Sequence, residues 1–250
     1  MELLDRARQL LPEIGDPERR LDLAAQVARR IADLDREELA PLLEPSPGVA
    51  PAPTDVEDPG RIPPGQHLTP GWPVLHVGRP PDTPAASWRV TVTGQVERRL
   101  VLDLAALRRL PEVTIRGDLH CVTGWSRLDN RWTGVRVRDL LERARPRAAA
   151  VHAVVTGHPA YSANLDLDVL CSGQTLLAWA HDGEPLTPEH GGPLRLVVPS
   201  RYGWKSVKWV RELRLLTHEA CGYWEERGYH EVGDPFREQR FRESPDPPVP

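Results

Sequence analysis

Val113-Thr-Ile-Arg-Gly-Asp-Leu-His-Cys121-Val-Thr-Gly-Trp-Ser126 is the stretch on which the reading of this chain turns. Val113 to Leu119 alternates as a half-buried strand does, and it leads to Cys121, directly before a Gly-Trp-Ser turn. A thiol at a strand end, on a loop held by a rigid scaffold, is placed for chemistry. Soft thiolates select soft or redox-active metals. A lone cysteine is more commonly a small buried hydrophobe, so the neighbouring segments must distinguish the two.

Working outward, Trp88–Thr93 alternates like a strand, and Asp103 can cap a short helix through Leu110. Arg136–Arg145 is helical, with Val137, Leu140 and Leu141 inward, and Asp166 can cap a helical turn through Leu170. Val151–Thr156, Thr175–Ala180, Leu194–Val198 and Lys208–Leu216 read as further strands. Strands interleaved irregularly with short helices predict an α+β fold rather than a doubly wound sheet, and no Gly-x-Gly-x-x-Gly follows a strand. Upstream, Leu21, Ala24, Val27, Ala28, Ile31 and Leu34 recur at helical spacing behind Asp16-Pro17. The expected organisation is a helical extension over 1–43, a proline-rich linker over 44–60, one domain over 61–243 and a disordered tail over 244–250. Ten prolines between Pro41 and Pro73 make that stretch an extended arm.

Hydrophobic residues make up 40% of the chain, enough for a real core. The net charge of −4 gives no reason to expect nucleic-acid binding, and residues 1–45, with 11 acidic and 7 basic side chains, account for all of it. Cys121, Cys171 and Cys221 form no Cys-x-x-Cys pair and fit neither a zinc cluster nor a disulfide scaffold. No stretch reaches the apolar length of a membrane span. The first residues show no basic-then-apolar leader and no twin arginine, so a cytoplasmic, reduced protein is expected. Of 32 basic residues only Lys205 and Lys208 are lysines, both within Trp-Lys-Ser-Val-Lys-Trp. A compact ammonium retained where arginine is otherwise favoured points to a confined anion pocket.

Several ordered blocks resemble the molybdopterin-binding domain of the sulfite oxidase superfamily. They are His120-Cys-Val-Thr-Gly-Trp-Ser126, Arg131-Trp-Thr-Gly-Val135, Tyr161-Ser-Ala-Asn-Leu165 and His181-Asp-Gly-Glu-Pro-Leu186. They continue in Glu189-His-Gly-Gly-Pro-Leu-Arg195, Tyr202-Gly-Trp-Lys-Ser-Val-Lys-Trp209 and Gly222-Tyr-Trp-Glu-Glu-Arg-Gly-Tyr-His230. Within the superfamily the chain is most similar to bacterial sulfite oxidase-like oxidoreductases built of this domain alone.

The resemblance implies a molybdenum–molybdopterin cofactor, with Cys121 as the protein's ligand to the metal. It implies cofactor contacts from His190, Arg195, Ser206 and Lys208, with Lys205 beside them. His67, Thr69 and His76 on the preceding arm are further candidates. It implies a catalytic role for Tyr161 near the metal. Sulfite oxidases place a substrate-binding arginine shortly after the cysteine; here Ser126 stands at that spacing and Arg127 follows it. The Gly-Trp-Ser form is closer to peptide methionine-sulfoxide reductases. The implied activity is oxygen-atom transfer on a small S- or N-containing substrate, with electrons exchanged with a separate redox protein carrying flavin, haem or iron–sulfur. Two alternatives stand beside it: a sulfoxide or N-oxide reductase, and a cofactor-binding subunit without its own turnover. A zinc hydrolase is disfavoured, since no His-x-x-x-His spacing occurs.

Overall fold

The computed structural model describes residues 58–77 and 79–242. The helical extension expected over 1–43, most of the linker and the tail lie outside the described residues.

Two mixed β-sheets carry the fold. In the first, β1 (His67–Leu68), β5 (Trp125–Arg136), β8 (Leu176–His181) and β10 (Arg195–Val197) lie side by side, with β4 (Glu112–His120) on β5 and β9 (Glu184–Pro185) on β8. In the second, β3 (Leu100–Asp103), β2 (Arg89–Gly94), β11 (Val210–Leu216), β6 (His152–Gly157) and β7 (Ser162–Asp166) follow in that order. β1–β5 and β2–β11 are parallel; the remaining pairs are antiparallel. Among the described residues three short helices, α1 (Leu104–Leu107), α2 (Val137–Ala144) and α3 (Leu167–Cys171), complete the α+β arrangement.

The helices are shorter than the sequence pattern suggests. Asp103 does cap α1, accepting from the Ala106 N–H at 2.7 Å, but the helix stops at Leu107 rather than Leu110. Asp166 makes no side-chain cap to α3; its carboxylate lies 3.3 Å from His152 instead. The four inward residues of α2, Val137, Leu140, Leu141 and Ala144, bury one face as its spacing dictates. Lys208 precedes β11 rather than opening it, because Trp209 takes a left-handed φ of 54°.

The turn after Cys121 is also placed differently. It occupies Cys121–Gly124, closed by the Gly124 N–H on the Cys121 carbonyl (3.0 Å) and the Cys121 N–H on the Trp125 carbonyl (2.8 Å). Gly124, with φ 92°, is the residue type that tolerates this bend. Trp125 and Ser126 already belong to β5. That strand bulges at Asp129 (φ 57°), whose N–H donates to Asp118 at 2.9 Å, while Arg61 from the arm bridges Asp118 and Asp129.

Three apolar clusters fill the interior. The largest lies against the second sheet and includes Trp88, Val92, Leu140, Val155, Leu196 and Leu213. A second gathers Trp72, Ile115, Trp125, Trp132 and Leu176 on the first sheet. A third is aromatic: Tyr202, Trp204, Trp224 and Tyr229 with Val122. Cys121 packs against the second and third, and Tyr161 against the first and third. The cysteine and the tyrosine therefore stand where the clusters meet.

Candidate active site

A cavity of about 230 Å³ opens at this junction. Its wall includes five of the eight tryptophans of the chain, Trp72, Trp125, Trp204, Trp209 and Trp224, together with Tyr229. Set into that aromatic wall are Cys121, Thr123, Tyr161, Arg195, Ser206 and Lys208.

Each polar group is held by its element. The Cys121 thiol sits at the end of β4 and accepts a hydrogen bond from the Thr123 hydroxyl at 3.1 Å. Burial pushes its pKa up, opposed mainly by the Thr123 hydrogen bonds and then by the Arg240 and Lys208 charges. Tyr161 donates to the Trp204 carbonyl at 2.5 Å. Burial, followed by the negative charge of Glu225, holds its pKa well above that of an ordinary phenol, so the phenol keeps its proton at neutral pH. Ser206 accepts from the Val198 N–H at 3.0 Å.

The two cations are the most informative groups. Arg195, 4% exposed, leaves β10 to donate to the His190 carbonyl at 2.9 Å, and its Nε is buried with no partner. Burial lowers its pKa to about 10. Lys208 donates to the Leu75 and Glu189 carbonyls at 2.8 and 2.6 Å, and desolvation by the cavity walls, reinforced by Arg195, depresses its pKa well below the usual lysine value. Among the described residues neither forms an ion pair. Two neighbouring cations without a carboxylate, in a largely aromatic cavity, are costly unless an anion joins them. Gly191 makes their proximity possible: at φ 104°, a Cβ there would lie 3.1 Å from the Lys208 side chain and 3.2 Å from that of Arg195.

Comparison with known proteins gives this site its family. A family profile described as the oxidoreductase molybdopterin binding domain matches residues 76–224. The chain belongs to this family. It is 44% identical to an oxidoreductase, YuiH, of Bacillus subtilis over 186 residues, 73% of this chain and 92% of that protein. It is 34% identical to the protein-methionine-sulfoxide reductase catalytic subunit MsrP of Gluconobacter oxydans over 58% of this chain and 52% of that protein, about half its length. In fold it is similar to the sulfane dehydrogenase SoxCD of Paracoccus pantotrophus, with a TM-score of 0.57 at 21% identity over 78% of this chain and 55% of that one.

As a molybdopterin-dependent oxidoreductase, the chain presents residues that fit the cofactor. The two cations, which form no ion pair among the described residues, and the orphaned Arg195 Nε fit an anionic, hydrogen-bonding ligand such as a pterin phosphate. Cys121 offers the soft sulfur that the metal selects.

Cys121, Tyr161, Arg195, Ser206, Lys208 and His76 line the cavity; Arg127, Lys205, His190, His67 and Thr69 do not. Arg127, expected to face substrate, is 1% exposed and absent from the lining. Its guanidinium is engaged by Asp182 at 2.9 Å, by Asn130 and by His181 at 3.1 Å, so its charge is spent inside the sheet. Lys205, also expected near the cofactor, is fully buried on another side: its ammonium reaches Glu225 at 2.6 Å, the Glu231 carbonyl at 2.5 Å, and both the carbonyl and side chain of Asn164. His190 supports the wall instead of lining it. It shares a hydrogen bond with the Trp72 carbonyl (3.1 Å), its ring stands 4.0 Å from that indole, and burial lowers its pKa to about 4, leaving it neutral. His67 and Thr69 pair the arm to β5 outside the cavity, while His76 does line it, edge-on to Trp209.

Sequence reasoning missed the aromatic wall and Thr123. The signal available for the wall was the number of tryptophans, eight in 250 residues, unusual enough to ask what they enclose. Thr123 carried none, since only the turn shows its hydroxyl folding back on the cysteine.

Proposed function

We propose that this molybdopterin-dependent oxidoreductase transfers an oxygen atom to or from a small, uncharged sulfur or nitrogen centre, and that reduction of a neutral S-oxide is the favoured direction. The bound cofactor supplies the two-electron couple for that transfer. Cys121 would hold the metal, and Arg195, Lys208 and Ser206 would hold the pterin and its phosphate. Tyr161, which keeps its proton and donates it to the Trp204 carbonyl, would turn its hydroxyl from that carbonyl to donate to a substrate oxygen facing it. The tryptophans would exclude water and grip an apolar substrate.

The observation that carries the substrate reading is the engagement of Arg127 by Asp182. Ser126 is likewise withdrawn, donating to Gln66 at 3.3 Å and sharing a hydrogen bond with His120 at 2.8 Å. Once Arg195 and Lys208 serve the cofactor, the cavity wall, among the described residues, offers a dianion such as sulfite no further Lys or Arg. The methionine-sulfoxide reductases among the relatives lend further support. The proposal extends to a separate redox protein, with flavin, haem or iron–sulfur, as electron partner. It also extends to a cytoplasmic setting, consistent with Cys171 and Cys221 standing as free thiols. Among the described residues no helix is long and apolar enough to cross a membrane.

The test is a steady-state screen of loaded enzyme with a reduced dye and dialkyl or methionine sulfoxides, against sulfite with an oxidising dye. Sulfoxide turnover at low substrate with weak sulfite oxidation is expected. Efficient oxidation of micromolar sulfite would refute the substrate assignment.

A further inference from the structure

The loop that presents Cys121 is pinned from several directions. The Gln66 amide donates to the Cys121 carbonyl at 3.1 Å, and the Arg240 guanidinium donates to the Val122 carbonyl at 2.8 Å. The turn itself is closed by the Gly124 and Cys121 N–H groups. In this fixed frame Thr123, 4% exposed, has little freedom. Its hydroxyl donates to Cys121 Sγ at 3.1 Å. Thr123 and Cys121 both line the cavity, so the hydroxyl reaches the sulfur at the edge of the space that a ligand occupies.

We propose that Thr123 is a positioning residue that sets the reduction potential of the bound molybdenum through the hydrogen bond its hydroxyl donates to Cys121 Sγ. The inference rests on the cofactor assignment above but not on the choice of substrate. A ligating sulfur shares its negative charge with the metal. A donor aimed at that sulfur draws charge away from the metal and stabilises the more electron-rich, reduced centre, and hydrogen bonds around a ligating cysteine are a recognised control on potential. The hydroxyl therefore raises the potential and favours the reduced enzyme. The Thr123 backbone N–H reaches the same sulfur, so removing the hydroxyl leaves one donor and a partial effect. The hydrogen bond also fixes the direction of the sulfur lone pairs, which makes the ligand field at the metal dependent on it.

The experiment compares Thr123→Val, which keeps the shape and removes the donor, with Thr123→Ser, which restores it. Molybdenum per chain is measured first. Potentiometric titration followed by electron paramagnetic resonance then reads the potential and spectrum of the loaded fraction. A hydrogen bond to a charged acceptor is worth about a tenfold shift in an equilibrium, which corresponds to about 59 mV for a one-electron couple. The expected result is a lower potential and altered spectrum in Thr123→Val, with Thr123→Ser close to the parent. Should Thr123→Val fail to accumulate, Thr123→Ala removes the same donor and carries the same expectation. An unchanged potential and spectrum in a loaded valine or alanine variant would overturn the proposal. So would a shift that serine fails to reverse, since that would make the role of Thr123 one of shape alone. Parent protein without molybdenum would instead refute the cofactor assignment, and a substrate other than an S-oxide would leave the potential measurement untouched.

Discussion

Replacing Lys205 with methionine separates a structural lysine from a cofactor ligand. Lys205 and Glu225 are both fully buried, with 2.6 Å between ammonium and carboxylate. The ammonium also satisfies the Asn164 and Glu231 carbonyls at 3.1 and 2.5 Å. In Lys205→Met the chain length is kept and the charge is lost. Glu225 Oε1 then retains the Trp204 indole N–H at 2.9 Å, while Oε2 already lacks a partner. Breaking a buried pair from one side leaves an uncompensated charge and costs about 3–5 kcal/mol. In a protein of this size each kcal/mol moves the midpoint of thermal unfolding by about 2–4 °C, so a fall of about 10 °C is expected by calorimetry at matched cofactor loading. Lys205→Met/Glu225→Gln should recover much of it, because the charge that was stranded is gone. A Lys205→Met protein that melts with the parent but loses its molybdopterin would refute this reasoning and return Lys205 to the cofactor site.

Three further outcomes follow from the same structure. Arg195→Ala and Lys208→Ala each remove a cation from the cavity and should lower pterin content per chain, measured by fluorescence of the oxidised pterin; undiminished content in both would exclude the anchoring role. Arg127→Met should destabilise the fold by about 3 kcal/mol or more by stranding the part-buried Asp182, while leaving the KM for a neutral S-oxide within about twofold, as expected of a residue absent from the lining; a large KM change without destabilisation would contradict the placement. Stability should also fall on acidification. His120 and His190 are held neutral by burial, with pKa values lowered to about 4, whereas unfolded imidazoles take protons near pH 6.5. The unfolded state binds more protons in that interval, so the stability present above pH 6.5 is lost as the pH falls towards 4. Denaturant midpoints flat from pH 7 to pH 4.5 would be inconsistent with this.

The fold was legible where burial follows a simple period. The strands around Trp88–Thr93 and Val113–Leu119, and the inward face of α2, appear close to their expected bounds because each buries one regular face. β5 was not legible. Arg127, Asp129, Asn130 and Arg131 look like loop residues in sequence, yet they lie within a strand because Asp118, Asp182 and His181 satisfy them from neighbouring chain segments. The same non-local pairing explains the candidate site. Cys121, Tyr161, Arg195, Ser206 and Lys208, which line the cavity, are singled out in the sequence because their motifs resemble a family. The direction of a side chain depends on partners far away in sequence: Asp182 for Arg127, Glu225 for Lys205 and Trp72 for His190. Lys205 and Lys208 part company after the short helical turn at Gly203–Lys205; their spacing on an extended segment already puts them on opposite faces but does not tell which of the two reaches the cavity.

Metal and pterin content of the purified protein, measured beside Cys121→Ser and Cys171→Ser, decides whether Cys121 holds a molybdenum cofactor. About one molybdenum per chain is expected in the parent, on the selectivity of a soft thiolate for such a metal. Cys171→Ser should match the parent, because Cys171 packs against the main core away from the cavity. Cys121→Ser should lose turnover and lose or alter the paramagnetic molybdenum signal. A Cys121→Ser protein with the parent's signal and full activity would contradict the assignment of this cysteine, and with it the site.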